Sequence, residues 1–115
     1  RCSSLSSINI PEGVKMIGYR EFEDCKSLSS IHLPSTLTKL GSLAFNNCTN
    51  HRMVVSDIRN PLLCKIGTSD PLENAYNQWC FNYIPYDAIL YVPRGTKGIY
   101  DKAGWSRFFS QVIER

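Results

Sequence analysis

Three things are scarce in this 115-residue sequence: histidine, long apolar runs and clustered charge of one sign. There are only two histidines, and neither a Gly-x-Ser-x-Gly motif nor a phosphate-cradling glycine-rich loop is present. No apolar stretch approaches the roughly 18 residues that suggest a membrane span. The 13 Lys and Arg and 10 Asp and Glu are scattered, with no basic run to bind phosphate. We therefore expect no enzyme, no cofactor, no membrane span and no nucleic-acid partner.

What the chain does contain is a repeat with a period of 23 residues. Nine positions agree in residue type between the first unit and the second: Cys2/Cys25, Leu5/Leu28, Ile8/Ile31, Ile10/Leu33, Pro11/Pro34, Val14/Leu37, Ile17/Leu40, Gly18/Gly41 and Phe22/Phe45. A fixed period of about 20 to 50 residues is typical of a solenoid, in which each unit buries its apolar face on its neighbour. Solenoids mostly provide binding surfaces.

Each unit divides into a strand and a return path. A strand with one buried face is predicted over residues 5–10, because Ile8 and Ile10 alternate with Ser7 and Asn9. Pro11 ends that strand because it has no N–H for a ladder, and Gly18 supplies a turn. Residues 19–24 predict a short helical turn that places Phe22 in the core. This pattern predicts an α/β solenoid of the leucine-rich-repeat class with a short parallel sheet.

The third unit is degenerate. His51 replaces the leucine, Ser56 replaces the inward apolar residue, and Asp57 replaces the proline. A strand is still predicted over residues 52–57. We assign residues 1–59 to leucine-rich repeats, with two full 23-residue units and a degenerate third.

Residues 60–115 have a different character and predict a C-terminal α+β cap. Ten of the 13 aromatic residues lie there, and large rings cover the apolar end of a solenoid with few residues. A strand is predicted over residues 88–92 and a short one over 111–113. Thr96 is the predicted N-cap of a helix that ends before Gly104, and residues 105–109 predict a further turn.

The repeat resembles the BspA-like (Treponema pallidum type) leucine-rich repeat of bacterial cell surfaces. The tail is similar to the C-terminal end of many such proteins, through Asn60-Pro61, the run Leu90 to Thr96, Tyr100, Gly104-Trp105 and Val112-Ile113. The resemblance implies an exported or cell-surface protein that attaches to host proteins, other bacteria or surface polymers. It brings no catalytic residues. The chain starts on a repeat boundary, so we expect a leader and further repeats upstream.

The five cysteines leave alternatives open. Cys2, Cys25 and Cys48 are repeat positions, which predicts small apolar side chains stacked inside the solenoid, although the spacing of the units does not exclude a disulfide. Cys64 and Cys80 either form a bridge or are two more buried thiols. Cys48-x-x-His51 has ligand-like spacing, but Cys48 already has its repeat role, so we expect no metal site.

Strand alternation identifies a candidate binding face for a protein ligand. The side chains predicted to point out of the sheet are Ser7, Ser30 and Met53 in one row and Asn9, His32 and Val55 in the next. This surface is small, so further repeats would have to complete the site, or the stretch is only the end of a scaffold.

Two further hypotheses concern the ends of the array. A carbohydrate could stack on exposed rings of the cap, with Trp79, Tyr83, Tyr86 and Trp105 as the candidates, unless these rings form the cap's own core. At the other end, an uncapped first unit would expose Leu5, Ile8, Val14 and Ile17 edge-on and offer a dimer site.

Overall fold

The computed structural model describes residues 4–41, 43–66, 81, 84–85 and 87–115. Its main element is a five-stranded sheet in which every neighbouring pair is parallel. In order across the sheet, the strands are β1 (Ser7–Asn9), β3 (Ser30–Leu33), β5 (Met53–Ser56), β7 (Ile89–Val92) and β8 (Gln111–Glu114). This parallel sheet, with little helix beside it, fits a repeat fold.

The pairing register follows the sequence repeat. Ser7 pairs with Ser30, and Ser30 pairs with Met53, so equivalent positions of successive repeats lie side by side. A second, three-stranded ladder contains β2 (Met16–Ile17), β4 (Lys39–Leu40) and β6 (Lys65–Ile66). The sequence predicted only an apolar return path there, because two-residue strands are too short to show alternation.

Residues 19–24 form hydrogen-bonded turns, so the predicted helical turn is wrong. The backbone N–H of Glu21 donates to Gly18 and that of Glu23 donates to Arg20. Arg20 and Asp24 have positive φ angles of 58° and 61°, which break a right-handed helix. The second repeat has the same geometry at Leu43 and Asn47, with φ of 59° and 62°.

Gly41 is a glycine because of the neighbouring repeat. A Cβ at this position would lie 2.5 Å from the backbone carbon of Gly18 and 2.5 Å from the backbone nitrogen of Tyr19. The Gly41 N–H also donates to the Ile17 carbonyl at 2.8 Å. The recurrent glycine therefore allows close backbone stacking between repeats, in addition to the turn that the sequence predicted.

The core runs through the repeats and continues into the C-terminal region. The repeat residues Leu28, Ile31, Leu33, Leu40 and Phe45 are at most 1% exposed. In the first repeat Ile8 and Val14 are half-buried and Leu5 is 42% exposed, because this repeat has a described neighbour on one side only. Ile17 is 1% exposed, so the prediction that it lies on an open edge is wrong. It packs in the same core as Leu40.

The C-terminal region adds two strands to the same sheet. β7 pairs with β5, and β8 pairs with β7. Between them lie a helix, α1 (Lys97–Lys102), and a 3₁₀ segment (Trp105–Phe108); another 3₁₀ segment (Pro61–Leu63) follows the third repeat. The helix starts after Thr96, whose hydroxyl donates to the Pro93 carbonyl instead of capping the helix.

A buried polar contact joins the third repeat to this region. Ser56, at the core position that Ile10 and Leu33 hold in the other repeats, lies 2.6 Å from the Tyr100 hydroxyl. The Tyr100 hydroxyl donates to the Ile58 carbonyl, and the Ile58 N–H donates to Ser56 Oγ. Burial raises the pKa of Tyr100 above its ordinary value. Both hydroxyls are therefore satisfied inside the core.

Candidate binding face

The six predicted face residues lie on one side of the five-stranded sheet. β3 shows why: Ile31 and Leu33 are buried, while Ser30 and His32 between them are half-exposed. The register places Ser7, Ser30 and Met53 in one row and Asn9, His32 and Val55 in the next. Their placement thus follows the prediction, and their role in binding stays a prediction.

Two more strands extend this face, which the sequence did not predict. Ile89 and Gln111 continue the row of Met53, and Tyr91 and Ile113 continue the row of Val55. Alternation over residues 88–92 and 111–113 indicated strands there. Nothing in the sequence indicated that they pair with β5, because no repeat motif connects them.

The face changes in character from one edge to the other. On β1 it presents Ser7 and Asn9, both exposed and polar. On β5, β7 and β8 it presents the exposed polar Gln111 and apolar side chains that keep partial exposure: Met53, Val55, Ile89, Tyr91 and Ile113. Met53 is 39% exposed. An aromatic ring among aliphatic side chains is the composition found at the centre of protein interfaces.

A charged network lies at the carboxyl ends of these strands. His32 Nε2 is 2.6 Å from Asp57 Oδ2, and Arg115 donates to Asp57 Oδ1. Partial burial alone would raise the pKa of Asp57, but the hydrogen bonds from Arg115 and His32 outweigh it and hold the pKa below its usual value. The network therefore ties the middle of the face to its carboxyl edge. At the opposite ends of the strands, Arg52 contacts Asp87 at 2.7 Å.

One of the four residues predicted to stack on a carbohydrate cannot do so. Trp105 is fully buried and packs against Tyr100 and Phe81, with ring centroids 5.2 and 6.1 Å away. Its ring has no exposed face on which a sugar could stack, so it is a core residue. Trp79, Tyr83 and Tyr86 lie outside the described residues.

The three described cysteines, Cys25, Cys48 and Cys64, are buried, and so is His51. Cys25 is disulfide-bonded, and Cys48 and Cys64 are free, so Cys64 is not bridged to Cys80. Burial raises the pKa of the Cys48 thiol to about 11 and that of the Cys64 thiol to about 12, so both are protonated at neutral pH. Within the part of the chain that the structure describes, no group of three or more His, Cys, Asp or Glu could hold a metal ion.

His51, at the position that Leu5 and Leu28 hold in the other repeats, is fully buried. Its ring lies 5.4 Å from the Phe45 ring and 6.4 Å from the Phe81 ring, between centroids. Neither ring nitrogen has a hydrogen-bond partner among the described residues. Burial lowers the pKa of His51 to about 4, against a smaller opposing effect of the Met53 backbone. The imidazole is therefore neutral at physiological pH and acts as a core side chain.

Comparison with known proteins gives one match. The family model described as BspA type leucine-rich repeat region (6 copies) matches residues 1–61. No curated protein and no solved structure matches the chain. Among the described residues, no helix has both the length and the apolar character to cross a membrane.

Proposed function

This chain belongs to the BspA-type leucine-rich-repeat family, and we propose from that premise that it is a non-enzymatic protein-interaction or adhesion module of an exported bacterial surface protein. The family suggests protein binding at a surface. In this proposal the repeats stack as a solenoid, the C-terminal region caps it, and the outward face of the sheet contacts the ligand.

The observation that carries the proposal is the apolar part of the face on β5, β7 and β8. Val55, Tyr91 and Ile113 stand side by side in one row, each partly exposed. A pleated surface with alternate strand residues in register presents a fixed pattern of side chains. Such a surface, with an aromatic residue at its centre, suits a protein ligand.

The size of the face limits how it can work. Five strands span about 20 Å at roughly 4.8 Å per strand spacing, and each contributes about 10 Å of length. A specific interface usually buries about 800 Å² on each partner. The ligand must therefore also contact loops at the ends of the strands or neighbouring repeats. The carboxyl ends, where His32, Asp57 and Arg115 meet, are the nearest such region.

The test is binding to a panel of immobilised plasma and extracellular-matrix proteins and to whole bacterial cells, measured by biolayer interferometry or cell adhesion. Tyr91→Ala should raise the dissociation constant at least tenfold, since central aromatic residues contribute much of the binding energy of interfaces. Tyr19→Ala is the matched control, because Tyr19 is a 44% exposed tyrosine in a turn away from the face. It should change binding less than twofold.

Circular dichroism melts of both variants would show that the fold is retained. Equal affinity of Tyr91→Ala and the unchanged chain would contradict this face as the binding site. Absence of binding to every protein and cell type tested would contradict the adhesion role itself.

A further inference from the structure

A cavity of about 450 Å³ opens at the carboxyl ends of the strands, and three arginines line it. Arg59 follows β5, Arg94 follows β7 and Arg115 follows β8, so the parallel sheet brings all three to one edge. We propose that this cavity binds the carboxylate side chains of an acidic peptide segment.

The acidic residues at the cavity are already engaged. Glu12 accepts hydrogen bonds from the backbone N–H and the hydroxyl of Ser35, both at 2.8 Å, one on each oxygen. Asp57 accepts from His32 on one oxygen and from Arg115 on the other. These carboxylates thus have their oxygens occupied by the chain itself and compete little for Arg59 and Arg94.

Arg115 is a positioning residue for this site. Its Nη2 donates to the Ser56 carbonyl at 3.2 Å as well as to Asp57. The pKa of Asp57 is held below its usual value by these contacts, against the opposing effect of its partial burial, so the carboxylate stays ionised at neutral pH. The Arg115 guanidinium is therefore held at the cavity wall and adds positive charge there.

Arg59 and Arg94 are the groups that would bind the ligand. Both are exposed, and neither makes a hydrogen bond or ion pair with any other described residue. A guanidinium presents its donors as a planar fork that matches the two oxygens of a carboxylate. The lining carries three arginines and two engaged carboxylates, an excess of one positive charge. A further carboxylate, Glu114, lies beside Arg94 outside the lining, and its pKa is held below its usual value by hydrogen bonds from the Lys97 and Gly95 backbone and by the nearby charges of Lys97 and Arg94.

The neighbouring face favours a peptide over an acidic polysaccharide. Asp57 lines the cavity and contacts His32, which stands in the same row as Val55 and Tyr91. A peptide could place carboxylates in the cavity and apolar side chains on that row, whereas a polysaccharide has no aliphatic side chains to use there. The peptide part of the inference rests on the proposed function; the anion site does not.

The experiment uses a fluorescently labelled octapeptide of alternating glutamate and leucine, its glutamine counterpart and a heparin-derived hexasaccharide, in about 50 mM NaCl where screening is weak. Fluorescence anisotropy gives the dissociation constants. The double variant Arg59→Gln/Arg94→Gln should bind the glutamate peptide at least tenfold more weakly. The double variant Lys15→Gln/Lys26→Gln removes the same charge at exposed sites outside the cavity and should change binding less than twofold. The glutamine peptide should not bind.

The outcomes separate this inference from the proposed face. Loss with the arginine variant but not with Tyr91→Ala supports the cavity and contradicts the face. Loss with Tyr91→Ala alone overturns the cavity. Equal losses in the arginine and lysine variants overturn it too, because they show a nonspecific charge effect. Arginine-dependent binding of the hexasaccharide without binding of the glutamate peptide overturns the peptide assignment.

Discussion

The second repeat, residues 25–47, and the C-terminal region, residues 87–115, contribute strands to one parallel sheet on either side of β5, but their interiors differ. In the second repeat the interior is aliphatic around one ring, and that ring, Phe45, stacks almost parallel on Phe22, with centroids 5.4 Å apart and planes at 7°. In the C-terminal region half of the buried core residues are aromatic: Tyr100, Trp105 and Phe109 lie beside the aliphatic Ala88, Leu90 and Val92. The strands match in both regions, but the side chains behind them do not.

The difference shows where the regular packing stops. Phe81 stacks on Phe45 at 5.2 Å and 3°, continuing the column of parallel rings. The Trp105 and Phe109 rings then meet Phe81 at 50° and 60°. A parallel column can accept another repeat, whereas tilted rings close the space around the last one. The parallel pairing of the strands therefore continues into the C-terminal region, although the regular packing of the core rings does not.

The largest effect is expected from Trp105→Ala. If the C-terminal region and the repeats share one core, removing this fully buried ring should lower the free energy of unfolding of the whole chain by about 3–5 kcal/mol. Urea unfolding followed by far-ultraviolet circular dichroism should remain a single transition. A two-step curve, with the repeats melting at their original midpoint, would show that the two regions fold separately.

Gly41→Ala should lower the free energy of unfolding by about 3 kcal/mol. The added methyl group would meet the backbone of Gly18, which cannot move without separating the repeats. Gly98→Ala is the matched control. A Cβ at Gly98 meets nothing within 4 Å, and the residue lies in α1. Alanine there should therefore raise the free energy of unfolding, by at most about 1 kcal/mol. Thermal melts of both variants measure this. Equal melting temperatures would refute the role of close stacking in the repeats.

Tyr100→Phe should destabilise the chain by about 2 kcal/mol, since Ser56 and the Ile58 carbonyl lose a buried partner. Combining it with Ser56→Leu places a leucine at the core position that Leu33 holds in the second repeat. The double variant should be more stable than the sum of the two single changes predicts. Chemical denaturation of all four proteins forms a double-mutant cycle, and strict additivity would mean that the contact does not couple the two regions.

His51→Leu should be the mildest change and a stabilising one, by about 1–2 kcal/mol at pH 7, because the ring nitrogens that it removes are buried and have no hydrogen-bond partner among the described residues. The pKa of His51 is about 4 in the folded chain, against the ordinary histidine value of 6.5 that applies to the unfolded chain. The free energy of unfolding does not depend on this titration above pH 6.5. It decreases as the pH falls from 6.5 towards 4, because His51 takes up a proton in the unfolded chain before it does so in the folded chain.

The measurement is the urea midpoint at pH 7 and about pH 4.5. The gap between His51→Leu and the unchanged chain should widen at the lower pH. Asp57, whose pKa is lowered, loses its contribution only at still lower pH and is present in both proteins. A constant gap would mean that His51 reaches solvent.

Much of the sheet could be predicted from alternation. The strands Ser30–Leu33, Met53–Ser56 and Ile89–Val92 lie within the predicted ranges, and all six face residues point outward. The pairing of β7 with β5 could not be predicted, because Met53 and Ile89 are joined by a segment without the repeat pattern. Sequence alternation reports which side chains share a face of one strand, but not which strands are neighbours.

The cavity was also beyond prediction from sequence. Arg59, Arg94 and Arg115 are separated by long stretches of chain and form no charge run. Only the parallel pairing of β5, β7 and β8 brings the residues after each strand together. The position of Trp105 could not be predicted either. Composition showed that the C-terminal region is rich in aromatic residues, but it does not distinguish a buried ring from an exposed one.

Three side-chain hydrogen bonds between the first two repeats all run in one direction, which bears on how such arrays grow. Glu12, Glu23 and Asp24 supply the acceptors, and Ser35, Asn46 and Asn47, each 23 positions later, supply the donors. A tandem copy of the first repeat would place carboxylate against carboxylate at all three levels, whereas a copy of the second would place neutral groups together. Neighbouring repeats of this chain are therefore a matched pair, and lengthening the array by duplication would favour copying both together.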